Sequence, residues 1–318
     1  MIDSYGRDIN YLRISVTDLC NLRCRYCTPL NGCGKREQKE ILSLGEIKDI
    51  TEVFVSLGVE KVRITGGEPL VRKGVINLIE SIGKMDKVKD FAMTTNGILL
   101  EQYAKHLKSA GLNRVNISLD TLNDAKYSHI TRGGSLKQVL KGIEAAKKVG
   151  ISPIKLNVVL IKDFNEDEIN SFVNLTKYED IDVRFIELMP IGETYKWSLD
   201  KYKSNSIVLE KNNALIKIHS EDISSPATYY KLPGGKGRVG LINPISCKFC
   251  NKCNRIRLTA DGKVKPCLHS HEEINLINKY RNGEDIKKII YDMIMSKPKE
   301  HDLENGDFIT RNMMAIGG

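Results

Sequence analysis

The chain has 318 residues, 41% of them hydrophobic and 28% charged, with a formal net charge of +9. That length allows two domains or one large barrel with an appendix, and the apolar fraction should bury a proper core. No run of about 18 apolar residues and no charged-then-apolar leader after Met1 is present, which argues against a membrane span or export and predicts a cytoplasmic protein whose excess positive charge suits a polyanionic partner.

From residue 11 to about 190 short β-branched runs alternate with longer amphipathic ones. Strands are predicted at Tyr11–Val16, Lys61–Thr65, Asp90–Thr94, Arg114–Leu119, Ile154–Leu160 and Asp182–Glu187. Helices are predicted around Leu44–Leu57, Gly74–Ile82, Leu99–Ala110, Leu136–Val149 and Glu166–Tyr178. Such alternation implies parallel strands with right-handed crossovers, either an incomplete six-unit (β/α) barrel or an open doubly wound sheet. The barrel is favoured because unusual residues follow the strands, where barrel enzymes keep their chemistry: a cysteine loop after the first, Gly66-Gly67-Glu68-Pro69 after the second, Ser118-Leu119-Asp120 at the fourth and Leu188-Met189-Pro190 after the sixth. Turn residues at strand ends are also common for purely structural reasons.

Residues 191–225 lose the alternation and read as a connection holding Trp197 and one helix at Ser204–Leu215. The Gly-rich stretch from Pro233 to Gly240 lacks phosphate-loop spacing and reads as a turn beside a strand. The predicted division is a partial-barrel domain over residues 1–221 and a C-terminal domain over 222–318 that closes the barrel's open side.

Eight cysteines in a reducing compartment point to metal ligation before disulfides. Six form two triplets, Cys20, Cys24, Cys27 and Cys250, Cys253, Cys267. A [4Fe-4S] cubane normally takes four thiolates, so a triplet leaves one iron open to another ligand. Structural zinc is the competing reading, although zinc sites mostly use paired CxxC units and fill four tetrahedral positions. Cys247 with Cys250, Cys253 and Cys267 would instead supply four thiolates and close the second cluster. Strand periodicity makes Lys61 and Arg63 share one face, as do Lys155 and Asn157, and Arg255 and Arg257 if that segment is extended. Converging cations of this kind suit a triphosphate, whereas each one alone is more often solvated.

Cys20-Asn-Leu-Arg-Cys24-Arg-Tyr-Cys27 followed one βα step later by Gly66-Gly67-Glu68-Pro69 resembles the radical S-adenosylmethionine (SAM) enzymes. Tyr11–Cys20, Val62–Pro69, Asn116–Asp120, Arg184–Pro190, Cys250–Lys263 and the terminal Gly317-Gly318 together resemble the GTP 3′,8-cyclase family of molybdenum cofactor biosynthesis. The resemblance implies two [4Fe-4S] clusters, with Cys20, Cys24 and Cys27 holding the one that binds SAM, and Cys250, Cys253 and Cys267 holding one whose open iron meets guanine. It assigns SAM contacts to Tyr26, Gly67, Ser118 and Met189, and GTP contacts to Arg13, Arg63, Thr94, Lys155, Arg255, Ile256 and Arg257, with Lys61 and Arg184 as neighbours. Gly317 and Gly318 resemble a tail that enters the active site. The implied reaction is reductive cleavage of SAM, hydrogen abstraction from C3′ of GTP and closure onto C8 of guanine. Implied partners are GTP, a second copy of the chain, flavodoxin or ferredoxin as reductant, and a cyclic pyranopterin monophosphate synthase downstream, with no nucleic acid and no membrane.

Cys247 and Cys33 depart from the family pattern: the first questions the open iron of the second cluster, and the second reads as a bystander. His269 and His271 read as surface residues, with a zinc site on Cys267 as their alternative use. Two other functions remain for comparison. A radical SAM peptide or protein maturase with an auxiliary cluster would not need cations inside the barrel. An RNA-binding metalloprotein is suggested by the charge but opposed by an aromatic content of 6%.

Overall fold

The computed structural model describes residues 1–29, 36–220 and 222–317, so Cys33 and Gly318 lie outside the described residues. The anticipated strands are present as β1 (Tyr11–Ser15), β2 (Lys61–Thr65), β3 (Asp90–Thr95), β4 (Arg114–Ser118), β5 (Ile154–Leu160) and β6 (Ile181–Glu187). Each pairs in parallel with the next in sequence. A doubly wound sheet needs a point where strand order reverses, and these six have none. Right-handed crossovers taken repeatedly in one direction put their helices on one face and curl the sheet into a partial barrel.

The rest of the chain extends both edges of this sheet. Strands β7 (Ile216–Ile218), β8 (Ala227–Lys231) and β9 (Val239–Ile242) continue from β6, with β9 parallel to β6 and the other pairings antiparallel. On the opposite side β10 (Arg255–Leu258) lies parallel to β1, followed by antiparallel β11 (Lys263–Lys265) and β12 (Ile274–Asn275). Strands β7 and β12 end the twelve-stranded sheet without pairing to each other, so the barrel stays open.

Crossovers are made by α1 (Leu44–Ser56), α2 (Val75–Gly83), α3 (Leu100–Ser109), α4 (Asp124–Thr131), α5 (Leu136–Lys148) and α6 (Ile169–Tyr178). Helix α1 starts at a capping box in which Ser43 Oγ accepts from Glu46 N–H and the Glu46 carboxylate accepts from Ser43 N–H. It buries Ile47, Ile50 and Phe54 at helical spacing. These meet the outward residues of the strands, among them Leu12, Ile14, Val62 and Ile64, each fully buried and worth about 1.5–3 kcal/mol. Helix α4 was not anticipated, because Asp124-Ala-Lys-Tyr-Ser-His-Ile-Thr131 carries no continuous apolar stripe; it is held by the Asn123 cap and by buried Tyr127 and Ile130. The helix expected at Ser204–Leu215 is only α8 (Ser206–Glu210), after α7 (Tyr195–Asp200), because the chain turns at Asn212 and enters β7. The Gly-rich stretch joins β8 to β9, as expected. Helices α9 (Leu276–Arg281), α10 (Ile286–Met295) and α11 (Met313–Ile316) complete the chain. Among the described residues no helix is long and apolar enough to cross a membrane.

Candidate active site

With the outward positions apolar, period-two alternation turns the other side chains inward, and these are strongly cationic. Parallel register sets Arg13 beside Arg63 on one side and Arg257 on the other, while Tyr11 lies between Lys61 and Arg255. The next strands add Thr94 beside Asn116, Asn116 beside Lys155, and Asn157 beside Arg184. All of these but Asn116 line a cavity of about 600 Å³.

The carboxylates here are committed. Of those lining the cavity, Asp90 takes two bonds from Arg114 (2.9 and 2.7 Å) and Asp222 pairs with Lys61 at 2.8 Å, while Asp182, outside the lining, takes two from Arg238 (3.0 and 2.6 Å) and lies 3.7 Å from Lys155. Among the described residues Arg13, Arg63, Arg184, Arg255 and Arg257 have no carboxylate within ion-pair distance. The Nε–H groups of Arg13 and Arg63 are buried without an acceptor. Burial, reinforced by Arg114 and Arg184, pushes Arg63 down to about 9, and burial pushes Arg257 down to about 10. Burial and Arg184 bring Lys155 down to about 8. Unpaired buried cations are costly, and this set is suited to an anion that supplies the missing acceptors.

All six triplet cysteines line this cavity. Cys20, Cys24 and Cys27 follow β1, and Cys20 Sγ accepts from Leu22 N–H at 3.4 Å. Burial, then the neighbouring Cys27, raises the Cys24 thiol well above its ordinary value; bound iron would reverse that sign, since ligation deprotonates thiols outright. Gly67 packs so closely on the cysteine loop that a Cβ would lie 2.3 Å from Leu19 O, which explains the glycine. Glu68 ties this turn to β3 by accepting from Leu70 N–H, Asn96 N–H and Thr95 Oγ1–H, and burial lifts it to about 7. Tyr26, Ser118 and Met189 also line the cavity, with Tyr26 OH donating to Asp120 at 2.7 Å.

At the other end Cys250, Cys253 and Cys267 are partly buried, whereas Cys247 is exposed and does not line the cavity. Lys297, 3% exposed, donates to Arg255 O and Pro266 O, and Arg7 donates to Cys250 O and to the carbonyls of Lys297, Pro298 and Lys299. Against the effect of burial, Lys297 and Arg255 bring the Cys253 thiol down to about 6. Among the described residues no three His, Cys, Asp or Glu side chains enclose a single ion. Tetrahedral zinc, at about 2.3 Å from each sulfur, would need them gathered within roughly 4 Å of one another, whereas a cubane takes its thiolates at separate corners. The cysteines therefore fit iron–sulfur clusters better than zinc.

His269 departs from expectation. It is buried, packs its ring 4.9 Å from that of His301, and is held neutral by burial, with a pKa near about 3. His271 is exposed and pairs with Asp307 at 2.8 Å, so the two histidines do not converge with Cys267 on a zinc site. Ile256 also stands apart: its side chain packs in the helix-side core, leaving only its backbone near the cavity. Gly317 reaches the interior, where its carbonyl accepts from Arg257 at 2.5 Å and a Cβ would meet Ser15 at 2.8 Å. The acid-paired Arg114 and Arg238, together with Lys297 and Arg7, were not singled out from sequence. Arg114 alone carried a signal, sharing an inward face with Asn116 and Ser118.

Residues 14–176 match the profile of the Radical SAM superfamily, and residues 181–303 match that of Molybdenum Cofactor Synthesis C. The chain is 58% identical to a GTP 3′,8-cyclase of Peptoclostridium acidaminophilum, covering 100% of this chain and 98% of the relative. It is 55% identical to a GTP 3′,8-cyclase of Alkaliphilus oremlandii and 48% identical to one of Clostridium botulinum, with both members of each pair covered completely. In fold it resembles Streptococcus suis SuiB bound to S-adenosylmethionine, with TM-score 0.66, 16% identity, and coverage of 91% of this chain and 67% of that one. SuiB bound to precursor peptide SuiA gives TM-score 0.62 at 15% identity, with 91% and 66% covered.

Proposed function

Because the chain belongs to the GTP 3′,8-cyclase family of radical SAM enzymes, we propose that it converts GTP to 3′,8-cyclo-7,8-dihydro-GTP, the first step of molybdenum cofactor biosynthesis. The observation that carries this reading is one cavity lined by both cysteine triplets and by five arginines lacking carboxylate partners among the described residues. A peptide maturase has no use for those arginines, and the likeness to SuiB extends to fold alone.

In this reading Cys20, Cys24 and Cys27 hold the SAM cluster, and Cys250, Cys253 and Cys267 hold the second, with Cys247 outside it. Held there, the cluster with SAM would supply the one-electron radical chemistry needed for hydrogen abstraction at the ribose C3′. Tyr26, Gly67, Ser118 and Met189 position SAM. Arg13, Arg63, Lys155, Arg255 and Arg257 bind the nucleotide, helped by Thr94, Lys61, Arg184 and the Ile256 backbone. Charge-assisted bonds from these groups fix the triphosphate, so that C3′ is held in line and solvent excluded; such alignment supplies much of the rate. Gly317 closes this space beside Arg257, and the terminal Gly317-Gly318 pair serves as the active-site tail.

The reading keeps two functional units, residues 1–221 and 222–318. It assigns a cytoplasmic setting, a homodimer, a flavodoxin or ferredoxin donor and a downstream cyclic pyranopterin monophosphate synthase. The test is anaerobic turnover by protein containing about eight irons per chain. Cyclized GTP is expected, and Arg257→Ala is expected to lower product per deoxyadenosine released. Loss of SAM cleavage with an unchanged ratio would argue against the role of Arg257, and unaltered GTP with wild-type protein would overturn the reading.

A further inference from the structure

Nucleoside triphosphates usually meet proteins as their magnesium complexes. Magnesium demands near-octahedral oxygen ligation, sheds water reluctantly, and is ordinarily shared between phosphate oxygens and one or two protein carboxylates or a phosphate-loop hydroxyl. This cavity offers none of that arrangement among the described residues. Asp90 and Asp222, which line it, and Asp182, just outside the lining, are each occupied by an arginine or lysine at hydrogen-bond distance. Asp120 accepts from Tyr26 OH and Val159 N–H. The Pro233–Gly240 stretch makes an antiparallel β8–β9 turn, without phosphate-loop spacing.

Arg13, Arg63, Arg184, Arg255 and Arg257 contribute five positive charges to the lining without a carboxylate neighbour among the described residues. A triphosphate carries about four negative charges once its terminal phosphate has ionised. The free anion therefore offsets most of that arginine charge. Its magnesium complex cancels only half as much charge and adds a dication among guanidiniums in a partly desolvated space, where like-charge repulsion is strongest. Arginine forks can bridge neighbouring phosphate oxygens bidentately, doing structurally what magnesium does elsewhere.

We propose that the substrate of this site is the metal-free triphosphate, and that free magnesium lowers binding by sequestering it. The inference rests on the cyclase reading and adds the form in which the nucleotide is taken and an ion that controls its supply.

The experiment is anaerobic titration of GTP into holoenzyme carrying both clusters, without reductant, at fixed pH and ionic strength and over a range of free magnesium. If only the free anion binds, the apparent dissociation constant for total GTP rises in proportion to one plus the ratio of free magnesium to the magnesium–GTP dissociation constant. The increase is about tenfold when that ratio is about nine, while the constant recalculated for free GTP stays level. A parallel SAM titration, with a ligand that does not chelate magnesium appreciably, should not move. An unchanged or tighter apparent constant, or a rise that levels off early, shows that the magnesium complex binds and overturns the proposal while leaving the cyclase reading intact. No GTP binding at any magnesium level, in protein with full iron content, overturns both.

Discussion

Raising the pH should weaken GTP binding through Lys155. Burial, then Arg184, lowers this lysine from 10.5 to about 8 in the empty protein, although Asp182 lies 3.7 Å away. A triphosphate favours the charged amine and should return it toward its ordinary value, so binding takes up about half a proton at pH 8 and affinity falls by roughly tenfold between pH 7 and pH 9. The stability effect has the opposite sign. The native lysine binds fewer protons than the unfolded one between about pH 8 and 10.5, so its penalty on the empty fold, up to roughly 3 kcal/mol, is present in full below pH 8 and fades as pH rises through that window. Calorimetry in buffers of different ionisation enthalpy measures the proton uptake. Lys155→Arg is the control, because its guanidinium stays charged and titration of the nucleotide itself is common to both proteins. Identical pH profiles for wild type and Lys155→Arg, with no buffer dependence, would refute the reasoning.

Two further substitutions test the two ends of the cavity. Gly67→Ala forces a methyl group to 2.3 Å from Leu19 O, so about half of the iron should be lost and the melting temperature should fall by several degrees; full iron with unchanged melting would contradict the packing account. Lys297→Met removes the buried cation beside Cys253, so the second cluster's midpoint potential should become more negative while the first stays put, as redox-titrated electron paramagnetic resonance would record; parallel shifts of both clusters would rule out a local charge effect.

What sequence reveals here is what chemistry fixes locally. The cysteine spacing, the Gly-Gly turn and the strand alternation each operate within a few residues, and all appear where expected. Alternation even contains the orientation of Ile256, since Arg255 and Arg257 cannot both face inward unless it faces the core. The parts that were not legible depend on partners far away in the chain. Arg7 is 243 residues from the Cys250 carbonyl it holds, and Lys297 is 42 and 31 residues from its two acceptors. His269 looked like a surface residue because nothing nearby in sequence indicates that His301 covers it. Helix α4 lacks periodicity because a cap and the burial of Tyr127, Ile130 and Thr131 suffice to hold it.

The placement of the triplets follows from register. Strands β1 and β10 are parallel, with Tyr11 opposite Arg255, so Cys250 and Cys253 enter at the end where β1 begins, while Cys20, Cys24 and Cys27 follow the end where it finishes. Strand β11 runs back against β10 with Lys265 opposite Arg257, which returns Cys267 to the same end as Cys250 and Cys253. The two triplets thus occupy opposite ends of a five-residue strand, about 17 Å long, with Arg13 and its neighbours between them. A nucleotide has the length to span that interval. A one-residue slip of β10 would turn Arg255 and Arg257 into the helical layer and displace their cysteines along the strand together, so pairing register specifies the cationic wall and the position of the second triplet at once.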